Sequence, residues 1–309
     1  MPAIIQSLWI GSLLSNLEKL CIQSFLDHGH EFHLYTYADV DGIPAGATVK
    51  DGNEILPEAD IFYRGKAGNN PIGFSNWFRY ALLHKLGGWW ADMDTVCLKP
   101  FEFDEEIVLM AADNFMLNTS VMKFPKGHEC MRALMNACRN HLDEQPWDSD
   151  AEKRDKKRMR MRGKGKDELP LGPALLRKAV SYYQLEKHIK PFMYFAPISE
   201  VGFLDDSFRE GLQFYPATHA LHVSSSRFRV NKNANYSPVS IYEQLKRKHN
   251  IAPVAGAETI APHQVYAAYL QKKASDLRKA RRRNARIRSL KFLLVVAAFV
   301  GFAIGFFVG

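Results

Sequence analysis

The sequence predicts an α/β domain on a parallel sheet, continued toward the C-terminus by a basic helix and a transmembrane helix. Three observations carry that expectation. Ile4 to Trp9, Ser15 to His28 and Glu31 to Tyr37 read as strand, helix and strand, the spacing that begins a parallel sheet. Ser75 to Leu86 then reads as a helix stopped by Gly87-Gly88, with a strand from Trp89 to Leu98. Charge is the third. Against a net +8 over 309 residues, the stretch from Lys272 to Lys291 alone carries ten Lys or Arg and one acid, Asp276, more than the whole excess, and 18 uncharged residues follow.

The elements follow in order. The apolar N-terminus has no positive residue ahead of it, so it is read as a first strand rather than a signal peptide. Ser15 opens the first helix as its cap. A Gly/Pro/Asp-rich stretch from Asp39 to Asn70 carries only weak strand signals. Trp77, Phe78, Tyr80, Ala81, Leu82, Leu83 and Leu86 go nearly all round the next helix, so it is expected to be buried. Strands are expected at Ile107 to Ala112 and Phe115 to Phe124, and helices at His128 to His141, Pro173 to His188, Ser237 to His249 and Pro262 to about Lys291. Glu152 to Glu168, rich in charge and poor in apolar residues, is read as a mobile basic loop.

The domains are therefore 1–250 for the globular unit, 251–291 for a basic juxtamembrane helix and 292–309 for the anchor. Without its basic run the chain is nearly neutral, which excludes a nucleic-acid reader with a basic footprint over its fold. Arginines that stop at the edge of an apolar segment stay on the cytosolic side, and they favour an anionic leaflet. The globular part is thus expected in the cytoplasm, with a bacterial inner membrane favoured. Gly301, Gly305 and Gly309 repeat every four residues and would let two such helices pack as a homodimer. Cys21, Cys97, Cys130 and Cys138 show no metal-ligand spacing and are read as reduced, buried thiols.

The chemistry is expected around Asp92 and Asp94. On a strand, residues two apart face the same way, and two carboxylates so close need a cation beside them. Oxygen ligands without cysteine select a hard ion such as Mn²⁺ or Mg²⁺. Asn76 and Arg79 share a polar stripe on the preceding buried helix, and a buried arginine needs an anion, for which these aspartates are the nearest candidates.

The block "FSNWFRYALLHKLGGWWADMDTVCLKP" resembles the DXD-containing glycosyltransferases: capsular and lipopolysaccharide transferases, yeast mannosyltransferase-like proteins, α1,4-galactosyltransferases and, more distantly, the large clostridial glucosylating toxins. "IIQSLWIG" upstream and "MLNTSVMKFPKGHECMRAL", "LGPALL" and "ALHVSSSRF" downstream extend the likeness over roughly residues 3 to 230, strongest from 74 to 127. It implies a GT-A, Rossmann-like fold, a nucleotide-sugar donor and a divalent ion, usually Mn²⁺. By position, Trp9 would stack on the nucleotide base, Arg79 would touch phosphates or sugar, Asp92 the ribose or sugar, and Asp94 the metal. Asp92 and His222 would complete the metal set, Asn76 and Asn118 would lie by the donor sugar, and Gly172-Pro173 on the acceptor side. Two positions depart from the family pattern: Asn76 stands where relatives often carry aspartate, and Gln6 where they often carry histidine.

The resemblance implies transfer with retention to a glycan or lipid-linked acceptor, and Asp113 is a candidate acceptor contact. Two other readings fit parts of the sequence. "WWADMDTV" matches the first motif of haloacid-dehalogenase-like phosphatases, with Asp205-Asp206 as a later acidic pair, although about 90 residues precede it here. A membrane-anchored sugar-nucleotide-binding protein without catalysis is the other.

Overall fold

A computed structural model describes residues 3–64, 70–112, 116–162, 171–207, 211–225, 231–282 and 284. The chain divides into two units, Met1–Thr259 and Ile260–Gly309. The first is built on strands β1 (Ile4–Leu8), β2 (Glu31–Thr36), β3 (Thr48–Asp51), β4 (Gly88–Ala91), β5 (Thr95–Cys97), β6 (Val108–Ala111), β7 (Leu117–Phe124), β8 (Ile189–Lys190) and β9 (Ala220–His222). Its helices are α1 (Asn16–Asp27), α2 (Ile72–Leu86), α3 (Glu129–Arg139), α4 (Asp150–Met161), α5 (Pro173–Tyr182), α6 (Glu200–Leu204) and α7 (Ile241–Lys248).

Seven strands form one sheet in the order β3-β2-β1-β4-β7-β6-β8, and β5 pairs with β9 in a second. β1 pairs in parallel with both β2 and β4, setting Ile5 beside Trp89 and Gln6 beside Trp90. β7 runs antiparallel to β4 and β6. The sheet is thus mixed and mostly parallel. Strand order reverses between β1 and β4, and in open α/β sheets a ligand crevice forms beyond the carboxyl ends of strands at such a point.

Alternation along β4 fixes its two faces. Trp90 packs with α2, α3 and α5, and neighbouring Trp89 packs on the opposite side with Ile22 and Phe25 of α1. α1 starts at a capping box in which Ser15 and Glu18 satisfy each other's backbone groups. α2 stops at Gly87, whose φ of 71° suits glycine and where a Cβ would stand 2.5 Å from the backbone nitrogen of Lys126. All four cysteines are free and buried.

The structure departs from the sequence expectations at several places. Trp89 to Leu98 is not one strand: it breaks at Asp92–Asp94 into a turn closed by Thr95 N–H donating to Asp92 O (2.9 Å). Asp92 N–H still donates to Ser120 O at 2.8 Å, one step beyond the Ala91–Val121 pair, so the chain leaves the β4–β7 ladder only after Asp92. The stretch 152–168 is no loop in its first half, because Ser149 and Glu152 form a capping box and α4 runs to Met161. The helix from Pro173 ends at Tyr182 rather than His188, where Gln184 takes a φ of 56°. That from Ser237 is confined to Ile241–Lys248, with Ser240 as its cap.

In the second unit, residues 262–282 are helical. Among the described residues no helix is long and apolar enough to cross a membrane. The anchor expected over 292–309, with Gly301, Gly305 and Gly309, lies outside the described residues, as does Asp113.

Candidate active site

A cavity of about 350 Å³ opens beyond the ends of β1 and β4, bounded by Trp9, Arg79, Asp92, Asp94, Asn118 and His222 among others. Five pieces of chain build most of it. β1 delivers Trp9, the first turns of α2 deliver Asn76 and Arg79, the turn after β4 delivers the aspartates, and the start of β7 delivers Asn118 to Ser120. β9 contributes the last wall by pairing with β5 so that His222 sits opposite Thr95. Val223 N–H then donates to Asp94 O at 2.9 Å, fixing the turn against β9.

Arg79 is 4% exposed and every side of its guanidinium is engaged. Nη1 lies 3.0 Å from Asp92 Oδ1 and donates to Thr119 O at 2.6 Å. Nη2 donates to Ser75 Oγ at 3.1 Å, Nε donates to Ser75 O at 3.3 Å, and the group lies 4.9 Å from the Trp90 ring centre. Trp90 Nε1 donates to the same Asp92 oxygen at 2.8 Å. A buried cation is tolerated only when so answered, and here the answer comes from a carboxylate at the cavity wall.

Asp94 has different neighbours. Its Oδ2 accepts from Ser225 N–H (2.8 Å) and Ser225 Oγ (2.9 Å), while Oδ1 lies 3.3 Å from His222 Nε2. Burial alone would raise this carboxyl, but His222 and the Ser225 donors more than offset it and hold the group well below the usual carboxylate range. One oxygen each from Asp92 and Asp94 and a ring nitrogen of His222 all lie within 4.8 Å of one another. Ser224 Oγ is 3.3 Å from His222 Nδ1, so the ring can donate a hydrogen bond there when Nε2 is given to a metal. Two carboxylates and an imidazole are a donor set that suits a divalent ion such as Mn²⁺.

The other expected residues are placed as follows. Trp9 lines the cavity with its buried Nε1 unpaired among the described residues, and the Lys232 ammonium lies 5.9 Å from its ring centre. Asn118 Oδ1 accepts from Thr119 N–H, Ser120 N–H and Ser120 Oγ, leaving its amide nitrogen unbonded among the described residues. Asn76 is inward-bound: Nδ2 donates to Ile72 O at 2.8 Å and Oδ1 accepts from Thr119 Oγ1 at 3.3 Å. Gly172 stands behind it, where a Cβ would crowd the Asn76 amide at 3.1 Å, and Pro173 rather than Gly172 lines the cavity. Asp205 and Asp206 lie outside the cavity lining, with Asp205 Oδ1 accepting from Ser207 N–H.

Ser225, Lys232 and Glu18 were not anticipated as parts of the site. Glu18 is 1% exposed and pairs with Lys232, which it holds at the cavity edge. For Ser225 a signal existed in the serine run after His222, because hydroxyls next to a ligand histidine commonly orient it and its neighbours. Lys232 sits in a polar stretch with no pattern of its own.

Residues 15–115 match the protein family described as "Glycosyltransferase sugar-binding region containing DXD motif". No curated protein matches the chain. Among solved structures, "PaToxG Glycosyltransferase" is similar at 16% identity and a TM-score of 0.39, over 60% of this chain and 70% of that one. The UDP-bound glycosyltransferase domain of the YGT toxin is similar at 10% identity and 0.43, over 62% and 79%. Its ligand-free form gives 10% identity and 0.41, over 82% and 87%. Likenesses this loose place no individual residue. The family match does more, since it spans Glu18, Arg79, Asp92 and Asp94, and over residues 15–115 the chain carries the sugar-binding region of the DXD-containing glycosyltransferases.

Proposed function

We propose that this glycosyltransferase moves a sugar, with retention, from a nucleotide-sugar donor to a glycan or lipid-linked acceptor, and that Asp92, Asp94 and His222 hold a divalent ion at the donor. The observation that carries this reading is the convergence of those three ligand groups within 4.8 Å on the wall of the cavity that also holds Trp9. A divalent ion bound there would offset the charge that grows on the departing diphosphate.

The chain's own residues do the rest. Trp9 offers a flat apolar ring to a nucleobase, with a spare N–H at its edge. Asn118, its oxygen already taken, offers amide hydrogens to sugar or ribose hydroxyls. Lys232, held by Glu18, brings a second positive charge to the rim, where it would meet phosphate oxygens. Arg79 holds Asp92 in place, with its hydrogen bonds going to Asp92, Thr119 and Ser75.

The test is a panel of nucleotide-sugars with purified full chain and Mn²⁺, read as free nucleoside diphosphate, beside a panel of phosphate esters. Turnover of esters without turnover of any sugar donor would overturn the reading. The anomeric configuration of the product, read by NMR, tests retention. For location, we propose that the basic run from Lys272 to Lys291 and the apolar residues 292–309 hold the chain on the cytosolic face of a membrane, a bacterial inner membrane being favoured. Full chain should float with lipid vesicles in a density gradient, and a chain that stays at the bottom contradicts it.

A further inference from the structure

α4 has twelve residues and buries none of them. It is nevertheless two-faced. Glu152, Lys156 and Met159, spaced i, i+4 and i+7, face a cavity of about 360 Å³ shared with α5. There Lys156 pairs with Asp148 and Glu152 pairs with Lys178. The helix is thus held to the domain by ion pairs rather than by an apolar stripe.

The opposite face carries Arg154, Lys157, Arg158 and Met161 at i, i+3, i+4 and i+7. All four are exposed, Met161 to 74%. Arg158 reaches Asp155 at 3.3 Å, an exposed pair, whereas Arg154 and Lys157 have no ion-pair partner among the described residues. A solvated helix face ordinarily mixes signs. This one is a positive strip about 10 Å long with a thioether in line.

Charge on this strip fits a surface of anionic groups, and the methionine selects among such surfaces. A polyanionic glycan or nucleic acid answers only the cations, while a lipid leaflet offers acidic headgroups and, just beneath, an apolar boundary for Met161. We propose that the outer face of α4 is a docking surface for an anionic lipid leaflet, separate from the segment at 272–309. The inference rests on the membrane reading above for the presence of the leaflet.

The experiment places an environment-sensitive fluorophore at position 161 by Met161→Cys in the full chain, the four native cysteines being free but buried. Vesicles of phosphatidylcholine alone are compared with vesicles that also contain phosphatidylglycerol, and flotation is recorded in parallel. The dye signal is expected to shift to the blue only on the acidic vesicles and to return in about 0.5 M salt. Arg154→Glu/Lys157→Glu/Arg158→Glu should weaken the local docking on the order of 100-fold, at roughly fivefold for each cation, with donor turnover unchanged. A chain that floats on acidic vesicles with no shift at position 161 overturns the α4 contact and leaves the anchor standing. One that neither floats nor shifts overturns both. The same shift on neutral vesicles, in the charge-reversed variant, or with a soluble polyanion in place of lipid also overturns the assignment.

Discussion

Around Asp92 and Asp94 every charge is set in apolar surroundings and answered at close range, whereas along the outer face of α4 the charges stand in water and largely face nothing. Arg79, 4% exposed, is clamped by Asp92, Thr119 and Ser75. Arg154 and Lys157 touch no acid among the described residues. The same residue types therefore carry opposite expectations. In the cavity, removing one partner strands another in low dielectric; on α4, removing a cation strands nothing.

The first way to break that comparison is Asp94→Ala. It deletes a carboxylate held by Ser225 and His222, and donor turnover should fall on the order of 10³-fold, as measured by nucleoside diphosphate release. Arg79→Ala comes next and acts on stability. It leaves Asp92 at the edge of the core without its cation, and urea unfolding should register a loss of about 3 kcal/mol. A similar loss from Arg154→Ala would erase the contrast. Trp9→Ala should weaken binding of the nucleotide part of the donor by roughly tenfold or more while leaving the fold intact, which calorimetric titration with the nucleotide reads directly.

The smallest effect belongs to α4's inner face. Lys178 and the Ser149 N–H hold the Glu152 carboxyl down at about 2. Because that folded value lies below the ordinary one near 4.5, the pairing contributes fully above about pH 4.5 and is lost as pH falls toward about 2. Both partners are a third or more exposed, so the contribution should stay under ~1 kcal/mol. Lys178→Ala should flatten that part of the acid unfolding curve and change little at neutral pH.

Local rules written in the sequence decided much of this fold. Ser15 and Glu18 mark the start of α1, the nearly all-round apolar pattern marks α2 as buried, and Gly87-Gly88 marks its end. The position of Asp92 and Asp94 after an aromatic strand was equally legible. Their geometry was not, because the turn that aims them is tied to Ser120 on β7 and braced by β9, more than a hundred residues away. Ser225 and Lys232 enter by the same long-range route, Lys232 through Glu18 on α1. α4 was misread for a different reason. Its charges hide any apolar period, so the evidence for a helix lay in Ser149 and Glu152 three residues apart, a capping signal rather than a periodic one. Asn76 shows the limit of position alone, since its amide is spent on Ile72 and Thr119.

The most direct measurement is nucleoside diphosphate release by purified full chain from a panel of nucleotide-sugars, with Mn²⁺ and with a chelator, for the wild type and for Asp94→Asn. Release from at least one donor is expected, lost with the chelator and cut by orders of magnitude in the variant. Release that ignores both the chelator and Asp94→Asn would contradict the assignment of Asp92, Asp94 and His222 as the metal-holding wall of a donor site.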